Sequence, residues 1–467
     1  MTDGRDLDGL VETKDQLVEH LSKGMKPRDQ WLIGTEHEKF AFQSATVLPV
    51  EFEGAGGIEA LLQRVLEGPG AYSGLYEADR LIGLKCPSAC GRYQASISLE
   101  PGGQFELSGA PLQTVHQTGA ELSAHLRDVG AAAKPLGLDF LGLGYSPKFA
   151  LSATPQMPKG RYDVMRAYMP KVGSHGLEMM HCTATMQVNL DFETEADMVK
   201  KFRVALALQP LSTALFANSV FKEGRLNGYH SYRSRVWLDV DAARTGLLPF
   251  VFEEDMGFES YVDYALQVPM YFIYRDGRYL NSQGGSFADF MAGRIDVDPD
   301  IRPTLDDWDL HLTTLFPEVR LKQFLEMRGA DCGAEPFILA HSAFWVGLLY
   351  HEAALDAAFD LVKDWDEAAR HSFRTSVPEL GLKSRVGRYS VLDVAKEVAA
   401  MAEEGLRSRA RLNEEGASEL VYLEPVLDIL SDGWAQSDKL IDRFQNIWGG
   451  DVHQLYQRES FFPEADL

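Results

Sequence analysis

Cysteine is scarce in this sequence: Cys86, Cys90, Cys182 and Cys332 are the four among 467 residues. None forms the C-x2-C pairs of a structural zinc site, so reduced thiols are expected, with a local Cys86–Cys90 bridge as the alternative. Positive charge is also in short supply. Lys and Arg total 45 against 69 Asp and Glu, a net charge of −24, and no basic cluster follows a phosphate backbone, which argues against a nucleic-acid partner. No apolar run reaches membrane-spanning length, since even Ile338–Tyr350 contains His341 and is too short. The opening MTDGRDLDGLVETKD lacks the positive and apolar regions of a secretory signal. Together these absences lead to the expectation of a cytoplasmic protein that binds neither nucleic acid nor membrane.

Several motifs are missing too. There is no G-x-x-x-x-G-K-[ST], no G-x-G-x-x-G after a strand and no G-x-S-x-G, so the common nucleotide folds and the nucleophile elbow are not expected. His37-Glu38 opens like the zinc motif H-E-x-x-H, but Ala41 stands where the second histidine is required.

What is present is the composition of a packed globular protein, 45% hydrophobic and 10% aromatic. Periodicity predicts a short helix over Val11–Ser22 and a strand over Trp31–Phe42, with Gly34, Glu36, Glu38 and Phe40 on one face and Ile33, Thr35, His37 and Lys39 on the other. Ser96–Ser108 reads as a hairpin bent at Pro101-Gly102-Gly103, with Glu100 ending its first arm and Gln104 and Glu106 sharing a face of its second. Leu112–Ala132 reads as a helix, Leu138–Leu143 as a buried strand, and Thr183–Phe192 as a strand whose polar face carries Thr185, Gln187 and Asn189. Thr194–Asn218 is helical in pattern, and His230–Val240 is extended by its Tyr, Val and Trp content. The stretch 293–307 reads as a surface loop, and Phe344–Leu361, Val391–Leu406 and Asp438–Trp448 point to a helical final third. The class is α+β, an antiparallel sheet lined with ligands and backed by helices.

The chemistry lies in carboxylates and amides on strand faces: Glu36 and Glu38, then Glu100, Gln104 and Glu106, then Gln187 and Asn189, then Glu326. A lone Glu on a strand is ordinarily a solvated residue. Here Gly34 and Phe40 flank Glu36 and Glu38 on their face, a poor composition for an exposed surface. Oxygen-rich clusters without cysteine suit a hard cation, Mg²⁺ or Mn²⁺. Arg161, Arg233 and Arg328 supply the complementary groups, since a guanidinium grips a carboxylate or phosphate with two parallel hydrogen bonds.

The segments Gly34–Phe40, Leu99–Gly109, Met157–Tyr162, Gln187–Phe192, Ala205–Pro210, Asp263–Leu266, Val268–Tyr271 and Phe316–Lys322 resemble glutamate-cysteine ligase of the plant and proteobacterial type, over roughly residues 28 to 450. That resemblance implies a glutamine-synthetase-like curved antiparallel cradle, sheet-rich over about 28–330 and helical over about 331–450, forming one catalytic unit across 1–467. It implies ATP-dependent joining of glutamate to cysteine through γ-glutamyl phosphate, with Mg²⁺, ATP as co-substrate, and a monomer or weak homodimer. By position it implies Glu36, Glu38, Glu100, Gln104, Glu106 and Glu326 as metal ligands, and Gln187 as a neutral oxygen donor beside ATP. It implies Arg161 and Arg233 as glutamate-holding residues and Arg328 as the contact to transferred phosphate, with Glu326 and Arg328 nearest the chemistry. Where plant members carry disulfide-forming cysteines, this chain has Gly119, Ser282, Ile338 and a cysteine-free stretch near Asp296, so that form of redox control is not expected. A ligase for another amine, and a silent sensor of glutamate or nucleotide, are the alternatives.

Overall fold

The computed structural model describes residues 9–87 and 94–463. Cys90, half of the bridge considered above, lies outside the described residues.

Nine strands make the central sheet: β1 (Ile33–Gln43), β2 (Ser73–Glu77), β3 (Arg80–Pro87), β4 (Gln94–Leu99), β5 (Gln104–Ser108), β6 (Leu138–Leu141), β7 (Thr185–Leu190), β8 (Val319–Leu321) and β9 (Leu325–Asp331). The order is β8-β9-β7-β1-β5-β4-β3-β2, and every neighbouring pair is antiparallel. One edge of β1 is shared between two partners. It pairs with β7 over Ile33–His37 and with β6 over Phe40–Gln43. The expected α+β class holds, with a large antiparallel sheet and a C-terminal region dominated by helices such as Glu335–Leu349 and Val391–Arg409.

The two faces of the sheet differ as the alternation in β1 predicts. Thr35, His37 and Lys39 point backward into buried surroundings, where the Thr35 hydroxyl meets Ser342 Oγ at 2.8 Å and Lys39 Nζ lies 2.8 Å from His125 Nε2. The helices Val115–Ala133, Glu195–Leu215 and Glu335–Leu349 cover that face and share one apolar core with Met186, Val188, Leu325 and Met327. Burying apolar side chains at ~25 cal/mol per Å² is the main force fixing the sheet on this layer. The other face carries Glu36 and Glu38. Among the described residues, no helix is long and apolar enough to cross a membrane.

The bend at Pro101-Gly102-Gly103 forms as predicted. Gly103 N donates to Glu100 O at 2.9 Å, and Gly103 takes φ +83°, a conformation open to glycine. A Cβ on Gly102 would stand 2.2 Å from His181 O, so that position also tolerates no side chain.

Two expectations are corrected. His230–Val240 is not extended: Tyr232–Val236 is a helical turn followed by a 3-10 turn over Trp237–Asp239. Ser231 Oγ accepts from Ser234 N at 3.1 Å as an N-cap and donates to Asp331 Oδ1 at 2.8 Å, a tertiary anchor that outweighs the β-propensity of Tyr, Val and Trp. Phe344–Leu361 is not one helix either. The chain turns at Tyr350, and a new helix, Glu352–Val362, begins with His351 accepting from Ala354 N at 3.3 Å.

Candidate active site

A cavity of about 450 Å³ opens on the uncovered face of the sheet. Strand pairing arranges its polar side chains in cross-strand rows. In the first, Ser96, Ser108, Glu36 and Gln187 stand side by side across β4, β5, β1 and β7. In the second, Ser98, Glu106 and Glu38 do so across β4, β5 and β1. Next to the cavity, a third row, Asn189, Glu326 and Arg320, crosses β7, β9 and β8, and of these Arg320 lines it.

The cavity carries charge of both signs. Glu36, Glu38, Glu77, Glu100 and Glu106 supply carboxylates, while Lys85, Lys159, Arg161, Arg320, Lys322 and Arg328 supply cations. An acidic chain has thus gathered positive charge locally.

The carboxylate side is electrostatically strained. Burial, followed by the charges of Glu326 and Glu106, raises the Glu36 pKa to about 7, with Lys322 and the Asn189 amide pulling the other way. Asn189 Nδ2 donates to Glu36 Oε1 at 2.9 Å. Glu38 is pushed well above the usual carboxylate range by burial, then by Glu100 and Glu106. Its Oε2 accepts from Thr185 N at 3.0 Å. Glu106 is raised by burial and Glu100, although the Ser98 and Ser108 hydroxyls donate to it. Like charges facing each other across a ladder are destabilising unless a cation lies between them.

These residues fit a hard divalent cation in one particular way. Among the described residues, no three His, Cys, Asp or Glu side chains stand close enough to form a ready-made metal cage. Mg²⁺ does not require one, since it keeps several waters and takes one or two carboxylates together with substrate phosphates.

The cationic side is built on Glu326, which is fully buried. Arg320 grips it with Nη2 to Oε1 at 2.7 Å and Nε to Oε2 at 3.1 Å, Lys322 Nζ lies 3.3 Å from Oε2, and Arg328 Nη1 donates to Oε1. Burial alone would raise its pKa, but the three cations outweigh burial and hold it far below the usual range. Arg328 Nη1 also donates to Gln187 Oε1 at 2.6 Å. A β-bulge in β9 between Met327 and Ala330 sets Arg328 and Gly329 against the single residue Gln187 of β7.

Lys159 and Arg161 come from the start of the helix Gly160–Tyr168, held from two sides. Glu77 Oε1 accepts from Gly160 N at 2.7 Å, and Leu99 O accepts from Lys159 Nζ at 2.8 Å and from the Tyr162 hydroxyl at 2.6 Å. Arg161 Nε is buried without a hydrogen-bond partner, poised to donate to an arriving anion.

Seven of the expected residues therefore line the cavity: Glu36, Glu38, Glu100, Glu106, Arg161, Gln187 and Arg328. Three do not. Gln104 is engaged elsewhere, since Gly102 N donates to its Oε1 at 2.9 Å and its amide donates to Met180 O and Thr183 O at 3.1 and 2.7 Å. Glu326 is buried with its oxygens on Arg320, Lys322 and Arg328. Arg233 lies in an adjoining pocket that shares Phe316 and Arg328 with the cavity; its Nη2 donates to Arg328 O at 3.0 Å and its Nε is unpartnered.

Residues 32–458 match the family model of glutamate-cysteine ligase family 2 (GCS2). The chain belongs to that family. It is 49% identical over 445 residues to the chloroplastic glutamate-cysteine ligase of Nicotiana tabacum, covering 95% of this chain and 82% of that one. It is 48% identical over 446 residues to the chloroplastic glutamate-cysteine ligase B of Oryza sativa subsp. japonica, covering 95% and 86%. Among solved structures, the glutamate-cysteine ligase of Francisella tularensis in complex with AMP superposes with a TM-score of 0.49 and 12% identity, over 89% of this chain and 85% of that one.

The family relatives correct one expectation. A cytoplasmic location does not stand, because these similar ligases are named as chloroplastic. Polar composition and the lack of apolar runs describe any aqueous compartment, and the plastid interior is one.

Sequence reasoning missed Lys159, Arg320 and Lys322 as site cations, although all three fall in segments that carry the family resemblance. The available signal was Arg320-x-Lys322 followed by Glu326-x-Arg328: alternating charges on two arms of a short hairpin, which the period of two brings to one face.

Proposed function

We propose that this member of the glutamate-cysteine ligase family joins the γ-carboxylate of glutamate to the amino group of cysteine at the expense of ATP, the first step of glutathione synthesis, and does so as a single catalytic unit. The observation that carries this reading is the lining of one cavity by two charge sets, Glu36, Glu38 and Glu106 with Arg320, Lys322 and Arg328.

A carboxylate is a poor electrophile, so a glutamate γ-oxygen first attacks the terminal phosphorus of ATP; the bond to the bridging oxygen breaks, leaving ADP and an acyl phosphate. Glu36, Glu38 and Glu106, together with Glu100, would hold magnesium, which would supply positive charge against the phosphate oxygens, and manganese would suit the same donors. Arg328, fixed by Glu326 and Gln187, faces the transferred phosphoryl group, and Arg320 and Lys322 extend that positive wall. Arg161 receives a glutamate carboxylate through its unpartnered guanidinium, and Arg233 reaches the same substrate from the adjoining pocket. The cysteine amine then attacks the acyl carbon, phosphate leaves, and the amine gives up a proton.

ADP release with glutamate, ATP and Mg²⁺, measured against each proteinogenic amino acid and simple amines, tests the reading. Cysteine should stand out, with γ-glutamylcysteine as product. A different preferred amine would move the chain to another ligase specificity, and no turnover with any amine would leave a binding protein.

A further inference from the structure

The bulge that presents Arg328 is held from the side of the sheet opposite the cavity. Gly329 N donates to Gln209 Oε1 at 2.8 Å, and Thr213 Oγ1 donates to Gly329 O at 2.8 Å. Both side chains come from successive turns of the buried helix Glu195–Leu215, four residues apart and so on one face. Gly329, the residue after Arg328, thus has both backbone polar groups tied to that helix. The approach is close: a Cβ there would stand 2.6 Å from Gln209 Oε1 and 3.1 Å from Glu318 Oε2, so a side chain would displace the Gln209 amide.

Stability alone gives a weak account of this contact. The Gln209 amide nitrogen is buried without a partner, which costs on the order of 1–3 kcal/mol. An apolar side chain of similar size would remove that cost but leave the Gly329 N–H without its acceptor, whereas an unbulged ladder would satisfy Gly329 without help from the helix. What the contact does accomplish is to fix the peptide next to Arg328. The Arg328 carbonyl also accepts from Arg233, so the same backbone segment links the phosphate-facing and glutamate-facing arginines.

We propose that Gln209 and Thr213 are positioning residues for Arg328: they pin the bulge at Gly329 so that the guanidinium meets the terminal phosphoryl group of ATP. Neither touches substrate. This inference rests on the ligase reading above and concerns how that site is set. Displacing a catalytic group by about 1 Å through a distant change costs on the order of a hundred-fold in rate.

The test uses the full-length protein with the isosteric variants Gln209→Met and Thr213→Val, and the hydroxyl-keeping Thr213→Ser. Calorimetry with a non-hydrolysable ATP analogue and with ADP, in Mg²⁺ and glutamate, reports affinity and stoichiometry separately, and turnover is measured alongside. Gln209→Met and Thr213→Val should bind the triphosphate analogue roughly ten-fold more weakly while ADP affinity and stoichiometry hold, with turnover falling on the order of ten- to a hundred-fold. Thr213→Ser should behave as the wild type. Equal changes for triphosphate and diphosphate, a fall in stoichiometry alone, or a Thr213→Ser variant as impaired as Thr213→Val would overturn the proposal and leave a packing role. Absence of ligase turnover in the wild type would instead strike the functional reading, whatever the variants bind.

Discussion

Glu38 and Glu106 stand directly opposite each other on neighbouring strands, β1 and β5, and both are pushed above the usual carboxylate range. Two acids in that relation weaken the sheet that holds them unless positive charge joins them. Glu38→Gln should therefore lower ligase turnover by orders of magnitude yet leave thermal stability in chelator unchanged or raised. Melting curves with and without Mg²⁺ would check it: the wild type should gain stability from the ion, and the variant should gain less. A variant that keeps both its turnover and its Mg²⁺ dependence would remove Glu38 from the site.

The two glutamate-facing arginines should separate from the acids in kinetics. Arg161→Ala and Arg233→Ala should chiefly raise the KM for glutamate, because a charge-assisted contact to a carboxylate is worth about 1.5–3 kcal/mol. Arg233→Ala should also lower kcat, since its Nη2 supports the Arg328 carbonyl. Steady-state kinetics with each substrate varied would show whether cysteine affinity falls instead, which would misplace both residues.

Glu326 tests the opposite case, a buried acid surrounded by cations. Glu326→Gln leaves Arg320, Lys322 and Arg328 without their shared counter-charge, and breaking such a buried arrangement costs about 3–5 kcal/mol. Denaturant unfolding should register the loss. Unchanged stability would mean that the three cations find other partners readily.

A pH effect on stability follows from Glu121, which lies outside the cavity. Burial raises its pKa to about 7 even though Ala110 N donates to both its oxygens, at 3.1 and 3.2 Å. The folded chain therefore holds this proton between the ordinary value of 4.5 and about 7, where the unfolded chain has released it. With more protons bound in the folded state, stability falls as pH rises through that window, by ~1–3 kcal/mol from this residue. Glu121→Gln should flatten that part of the profile in unfolding measured between pH 4.5 and 7.5.

Much of the site was readable because it is local. The alternation in β1 and the turn at Pro101-Gly102-Gly103 depend on neighbouring residues, and they place Glu36, Glu38, Glu100 and Glu106 without knowledge of the rest. The surroundings of Gln104 were not legible, because its partners, Met180 O and Thr183 O, arrive from a segment far along the chain. Those of Glu326 were not legible either, since the cations that enclose it are brought there by strand pairing. His230–Val240 failed because the Asp331–Ser231 hydrogen bond turns that segment into a helix, and no periodicity within the segment announces it.

Strand β1 is bordered on one side by β5, with single bridges from Leu112 at Ile33 and Pro49 at Phe42, and on the other by β7 for its first half and β6 for its second. A ribbon that forks in this way cannot lie flat, because its two branches must lean apart where they separate. The separation falls between His37 and Phe40, beside Glu38. The hollow in this enzyme is thus tied to strand connectivity, present before any loop is added, and Glu38 sits where the fork opens.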